Sequence, residues 1–276
     1  KYYDDIDLIV DDIAKNATRF IGCEEDKRTL ENNKIIKKHY KFSYKSHYPN
    51  INDEEYVLLD IVFQHDIYAP NEVKITNVKN IEFDDNPISV PTLIKDEMIG
   101  DKLTAIGPHT IGVQYNKNKD VEIIKQIHDV SSLVQNYKYN INSVARIYDF
   151  VSHEQSIYRD IKDDKKSFLL DAFFTMISVL SFGVYDKRNE YNTLIKAYSY
   201  FTNYLFKKPQ IKQLYFYSYN CVCLLCNLLK FYNYSVDVQV KNEIITILKS
   251  NKTKDQLSLY LKSNMADRLY SLIETI

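Results

Sequence analysis

The stretch Gly100-Asp101-Lys102-Leu103-Thr104-Ala105-Ile106-Gly107-Pro108-His109-Thr110-Ile111-Gly112-Val113 decides how this chain is read. Just before and within it, the apolar residues Leu93, Ile94, Met98, Ile99, Leu103 and Ile106 recur near helical spacing. The spacing predicts a helix over 93–106. Pro91 and Thr92 mark its start, with Thr92 as the capping residue and Asp96 and Glu97 near the first turn. Gly107 to Gly112, with Pro108 between them, reads as the loop that ends it. A second helix follows over 120–135, and Lys125 and Asp129, four apart, share one of its faces. Read singly, Lys102 is an ordinary surface lysine and Lys125 with Asp129 an ordinary surface ion pair.

Towards the N-terminus, Asp5 and Asp7 stand two apart in Tyr3-Asp4-Asp5-Ile6-Asp7-Leu8-Ile9-Val10. Asp60 stands inside Tyr56-Val57-Leu58-Leu59-Asp60-Ile61-Val62-Phe63. Both runs read as β-strands, over 5–10 and 56–63. On a strand, residues i and i+2 face the same way, so Asp5 and Asp7 would lie side by side. A carboxylate in a buried strand is costly unless a charge meets it. Three such carboxylates suit the hard oxygen chemistry of Mg²⁺ or Mn²⁺, and such a site positions a nucleoside triphosphate. The plainer reading is a solvated strand end.

These segments, with Ile88-Ser89-Val90-Pro91-Thr92-Leu93 and Glu122-Ile123-Ile124-Lys125-Gln126-Ile127-His128-Asp129-Val130, resemble the nucleotidyltransferase family of the abortive-infection AbiEii/AbiGii toxins. In that family an Asp-x-Asp element is followed by a third Asp, then a helix with Asp-Lys-Leu-Thr-Ala, a Pro-x-Thr-x-Gly loop and a Lys-x-x-x-Asp element. The chain carries each in that order, and the resemblance covers roughly residues 1–135. It implies a mixed sheet flanked by helices, with Asp5, Asp7 and Asp60 as catalytic, metal-binding residues. Asp60 would also help to activate the acceptor hydroxyl. Lys102 would hold the triphosphate, with Thr110, Lys125 and Asp129 lining the nucleotide pocket. It further implies a toxin that moves a nucleotide from a triphosphate to RNA, the tRNA 3′ end foremost, and a cognate antitoxin.

Two features depart from that pattern. The family's Gly-Ser or Gly-Gly-Thr element, expected about ten residues before the Asp pair, has no counterpart, and the chain reads as N-terminally incomplete. Ser132 stands where many relatives carry another Asp. Two other readings remain open on sequence: a nucleotidyltransferase that modifies a small molecule such as an antibiotic, and a non-catalytic binding module on the same fold.

The composition of the 276 residues is that of an ordinary globular protein, 45% hydrophobic and 26% charged. A net charge of −1 gives no global basic field for nucleic acid. The basic run Lys34-Ile35-Ile36-Lys37-Lys38-His39-Tyr40-Lys41 reads first as a solvated helix end entering a strand, and second as an RNA contact. No apolar run is long enough to cross a membrane. Cys221, Cys223 and Cys226 lie on an apolar helical stretch and read as small hydrophobes instead of zinc ligands. With Cys23 they are unpaired thiols, as expected in a reducing cytoplasm.

The pattern therefore predicts an α+β protein with a catalytic domain over 1–135 and an all-α domain over 136–276. The first would hold strands at 5–10, 39–46, 56–63 and 73–78 and helices at 24–37, 93–106 and 120–135. The second would hold helices at 141–160, 164–182, 188–206, 209–232, 237–249 and 253–275. Its many aromatic residues, Tyr198, Phe201, Tyr215 and Tyr219 among them, read as core, with a few tyrosines left exposed for a partner.

Overall fold

A computed structural model of the chain describes residues 2–26, 36–47, 53–63, 67–75, 88–115, 119–205 and 207–276. They divide into two compact units, Lys1–Ile67 and Tyr68–Ile276.

The first unit holds α1 (Tyr2–Asn16) and the strands β1 (Phe20–Glu25), β2 (Ile36–Lys45) and β3 (Glu54–Phe63). The three strands form an antiparallel sheet with β2 in the centre. Its small core is Val10, Tyr40 and Phe42, with Ile6, Ala14, Phe20, Leu59 and Ile61 packed around them. The strand reading of 5–10 is overturned here. Ile6, Val10 and Ala14 repeat every four residues and face the sheet as one helical stripe, while Leu8, Ile9 and Ile13 stay exposed. The short run looked β-like only because its window stopped before Ala14. On a helix, residues two apart point about 200° from one another, so Asp5 and Asp7 do not lie side by side. A strand over 20–25 replaces the start of the helix read at 24–37. Most of that expected helix lies outside the described residues.

The second unit begins with a two-stranded antiparallel ribbon, β4 (Glu72–Ile75) with β5 (Ile88–Pro91). Helices follow: α2 (Lys95–Leu103), α3 (Asp120–Asn136), α4 (Ile141–Arg159), α5 (Lys165–Leu180), α6 (Tyr191–Phe201, continued by a 3₁₀ turn), α7 (Lys212–Phe231), α8 (Val238–Lys249), α9 (Asn251–Tyr260) and α10 (Ser263–Glu274). α5 and α7, apolar on most sides, form the centre. Phe173, Met176, Leu224, Leu225 and Leu228 are wholly buried there. The architecture is α+β as expected. Every strand pairing among the described residues is antiparallel, which corrects the expected mixed sheet.

The helices from 141 onward sit close to their expected places. α5 stops close to the expected end of the helix read over 164–182, just before Phe182 and Gly183, which both turn left-handed at φ 57° and 76°. The helix expected over 253–275 is two helices. Leu261 and Lys262 are extended at the break, which lets α10 fold against α7 and α8 and bury Leu269 and Ile273. No Gly or Pro announces that break. The change of pattern near 135 is not a boundary between cores, because α3 packs on α6 and α7. Asn220 on α7 donates to Ser131 Oγ at 3.0 Å, and Cys221 meets the Ile127 carbonyl at 3.6 Å. Tyr198, Phe201, Tyr215 and Tyr219 are core, whereas Tyr200 and Tyr204 are exposed. No described helix is long and apolar enough to cross a membrane.

α2 is short, and tertiary contacts hold it. Its cap is Ile94, with no side-chain bond, and Thr92 bonds Asn71 instead. Glu97, wholly buried, accepts from Arg146 Nη2 at 2.6 Å and from the Ala69 amide at 2.9 Å. Gly100 lets α2 lie directly on α4: a Cβ there would meet the Val144 carbonyl oxygen at 2.6 Å and the Tyr148 amide nitrogen at 3.1 Å. Gly100→Ala should therefore destabilise the protein by about 1–3 kcal/mol or more through overpacking, despite the better helix propensity of Ala. Chemical denaturation of the two proteins measures this, and equal stability would mean that α2 and α4 can part at no cost.

Candidate functional site

α2, α3 and α4 surround a cavity of about 320 Å³, closed at one end by the loop that follows α2. That is near the lower limit for ligand sites, roughly 300–1,000 Å³. α2 contributes Asp101 and Lys102, Thr104 follows directly after it, and α3 contributes Gln126. Val151, Gln155 and Arg159, four residues apart along one face of α4, form another wall. The lining is mostly polar and holds two cations, Lys102 and Arg159. Burial pushes the Asp101 carboxyl up, against the pull of the neighbouring Lys102.

Lys102 is not a free surface lysine. Its Nζ lies 2.8 Å from Asp129 Oδ2 on α3, and both side chains are 28% exposed. The opposite carboxylate oxygen, Asp129 Oδ1, lies 3.3 Å from His128 Nδ1. The His128 ring sits between Phe201 and Tyr217, with centroids at 5.4 and 5.2 Å. Burial pushes the Asp129 carboxyl up, but hydrogen bonds from His128 and Lys102 outweigh it and hold the group at about 2. An ammonium fixed in a partly dry cavity by a carboxylate that stays ionised can neutralise phosphate charge. The sequence pointed to Lys102 and Asp129 separately, and the fold joins them. Lys125 does not share in this. It is exposed on α3 and faces Glu122 at 3.4 Å.

The loop after α2 is tightly folded. The Gly112 amide donates to the Gly107 carbonyl at 2.7 Å and the Val113 amide to the Ala105 carbonyl at 3.0 Å. Thr110 Oγ1 donates to Asp171 Oδ2 at 2.9 Å, so Thr110 is an anchor of the loop, and Ile111, Gly112 and Val113 line the cavity. Asp171, buried on α5, also accepts from the His109 amide at 2.9 Å and from Arg188 Nη1 at 2.5 Å. Sequence reading missed both Asp171 and Arg159. A lone acid within the apolar helix 165–180 was the available signal for Asp171. Nothing local marked Arg159.

The three N-terminal carboxylates lie differently from the expectation. Asp7 reaches across to β2, where it accepts from Lys38 Nζ at 2.6 Å and Tyr40 Oη at 2.5 Å. These bonds hold its carboxyl below the usual range, while burial first and Asp7 second push Tyr40 up to about 12. Asp60 is 52% exposed and lies 2.6 Å from His39 Nδ1. His39 pairs with Asp60 and Tyr40 with Leu59, so Asp60 projects from the opposite sheet face to the one that Asp7 meets. Asp5 is exposed on α1. The oxygen donors suit Mg²⁺, but as arranged the three do not fit one ion. Among the described residues no three His, Cys, Asp or Glu side chains are grouped to hold a metal. The cysteines of α7 are free and buried, and burial pushes the Cys221 and Cys226 thiols up.

The model of one protein family matches residues 1–210; its description is nucleotidyl transferase AbiEii toxin, type IV toxin–antitoxin system. The chain belongs to this family of nucleotidyl transferase toxins. Comparison with curated proteins and with solved structures gave no match.

The depressed Asp129 carboxyl gives the ion pair a pH signature. Its contribution to stability is complete above the ordinary aspartate value of 3.8 and is lost as pH falls towards about 2. Asp129→Asn should therefore melt below the parent protein at neutral pH, with the gap shrinking as both are acidified through that window. A gap that stays constant down to the lower limit would mean that Lys102 does not hold Asp129 ionised.

Proposed function

We propose that this member of the AbiEii toxin family transfers a nucleotide from a nucleoside triphosphate to an RNA acceptor, the tRNA 3′ end foremost. The acceptor hydroxyl oxygen attacks the α-phosphorus, the bond to the β-phosphate bridging oxygen breaks, and pyrophosphate leaves. The single observation that carries this reading is the cavity beside Lys102. It lies on the segment that matches the family and holds an ammonium fixed by an ionised carboxylate.

Lys102 presents its ammonium to the triphosphate and takes up charge as pyrophosphate departs. Asp129 orients it, and Thr110 holds the loop that walls the pocket. Asp60, solvated and hydrogen-bonded to His39, is assigned the proton of the acceptor hydroxyl. Asp5, Asp7 and Asp60, expected from the resemblance to hold Mg²⁺ or Mn²⁺, do not as arranged fit one shared ion. No step here runs through that ion, which enters the assay as the partner of the triphosphate. Apart from the wall that α4 supplies, the residues with assigned roles fall within 1–135. The helices beyond it supply the packing that seats α2 and α3. A cytoplasmic toxin held in check by a cognate antitoxin completes the reading.

The test incubates the protein with total RNA and each labelled triphosphate in turn, with Mg²⁺. Label should pass to RNA from at least one triphosphate. Lys102→Ala should lower affinity or rate by about one to two decades, equivalent to a lost charged hydrogen bond of roughly 1.5–3 kcal/mol. Because that change strands the half-buried Asp129, the Lys102→Met, Asp129→Asn double variant separates folding from binding. A double variant that is stable and still transfers label at the parental rate would remove Lys102 from the chemistry.

A further inference from the structure

Arg159, more than fifty residues beyond Lys102 in the chain, is the last residue of α4. Its Nε donates to the Ile111 carbonyl at 2.9 Å and its Nη2 to the Gly112 carbonyl at 2.6 Å. Both carbonyls belong to the loop that closes the cavity beside Lys102, and Arg159 itself lines that cavity. The helix then ends at once: Asp160 is left-handed at φ 56°, and its amide bonds back to Ile157. The guanidinium is thus delivered from a rigid helix end.

We propose that Arg159 is a positioning residue for the phosphate-bearing ligand. It clamps two successive carbonyls and so fixes the 107–113 loop as a wall of the pocket. This rests on the triphosphate reading of the same cavity and adds to it the element that sets the cavity's shape. Two features make the clamp specific. First, a planar guanidinium offers two parallel N–H donors in a fixed fork, and two adjacent carbonyls match it; a lysine ammonium is a point donor and cannot reproduce that. Second, the loop is folded tightly on itself, so the two carbonyls are presented from a compact turn: a Cβ on Gly112 would meet Gly107 O at 2.5 Å, Gly107 N at 2.6 Å and Ala105 O at 2.7 Å. On its other side the loop hangs from Asp171 through His109 and Thr110. With Arg159 released, the Ile111 and Gly112 carbonyls lose the donors that hold them on the cavity, while the loop keeps its Asp171 anchor and its own backbone bonds. The clamp also brings a second positive charge to the wall, which favours an anionic ligand.

The experiment measures equilibrium binding of each nucleoside triphosphate with Mg²⁺, a thermal melt, and amide hydrogen exchange over 107–113. The proteins compared are the parent chain, Arg159→Gln, Arg159→Lys and Lys102→Ala. In the parent, triphosphate should slow exchange in the loop. Arg159→Gln should speed loop exchange without ligand and weaken triphosphate affinity roughly tenfold, the scale of one lost charge-assisted hydrogen bond. Arg159→Lys keeps the charge and should fail to restore either property. Full rescue by Arg159→Lys would overturn the clamp, leaving only a charge effect. Unchanged loop exchange and affinity in a folded Arg159→Gln would overturn the proposal while leaving the triphosphate reading intact, provided that Lys102→Ala still weakens binding. Should Arg159→Gln fail to fold, Arg159→Lys carries the same decision. A parent protein that binds no triphosphate would overturn the function reading and this inference together.

Discussion

The arrangement of the second unit depends on how closely α2 can approach α4. At Gly100 the two backbones come so near that no Cβ fits between them. α2 is only nine residues long and lacks a side-chain cap, so it would not persist alone. Burial of Ile99 and Leu103 and the bond from Arg146 to Glu97 hold it in place. Because Lys102 lies half a turn beyond Gly100, that contact fixes where its ammonium points. Asp129 on α3 then meets it, and a cavity remains between the three helices. A glycine that looks like a weak point in a helix is thus the reason for the site's geometry.

Three carboxylates, Glu97 and Asp171 buried and Asp129 half-buried, organise the rest. Glu97, Asp171 and Asp129 each take charged or amide donors from elements distant in sequence. Taking a carboxylate out of water costs several kcal/mol unless such donors meet it. Each of the three therefore restrains two or three elements at once: Glu97 ties α2 to α4, Asp171 ties the 107–113 loop to α5 and Arg188, and Asp129 ties α3 to Lys102. In the first unit an exposed carboxylate makes a similar link, with Asp7 tying α1 to Lys38 and Tyr40 of β2. There the carboxylate that resembles a family metal ligand serves as a packing anchor.

Sequence by itself determined the α+β class, the helices between 93 and 249, the absence of an apolar span among them and the family. These are properties of local periodicity and of short motifs, and both survive translation into any fold that the chain adopts. It also singled out Lys102 and Asp129, because the residues around each match a family element. It failed where the deciding partner lies far along the chain. The run around Asp5 and Asp7 is β-like over six residues and helical over twelve, and only the sheet beneath it selects the stripe Ile6, Val10, Ala14. The break at Leu261 and Lys262 carries no Gly or Pro, and it lets α10 fold back on α7 and α8 and bury Leu269 and Ile273. That Lys102 is paired, that Thr110 hangs from Asp171 and that Arg159 faces the same cavity are matters of long-range packing. A hydrogen bond between residues 27 to 61 positions apart leaves no spacing in the sequence to read, so only the tertiary structure could decide them.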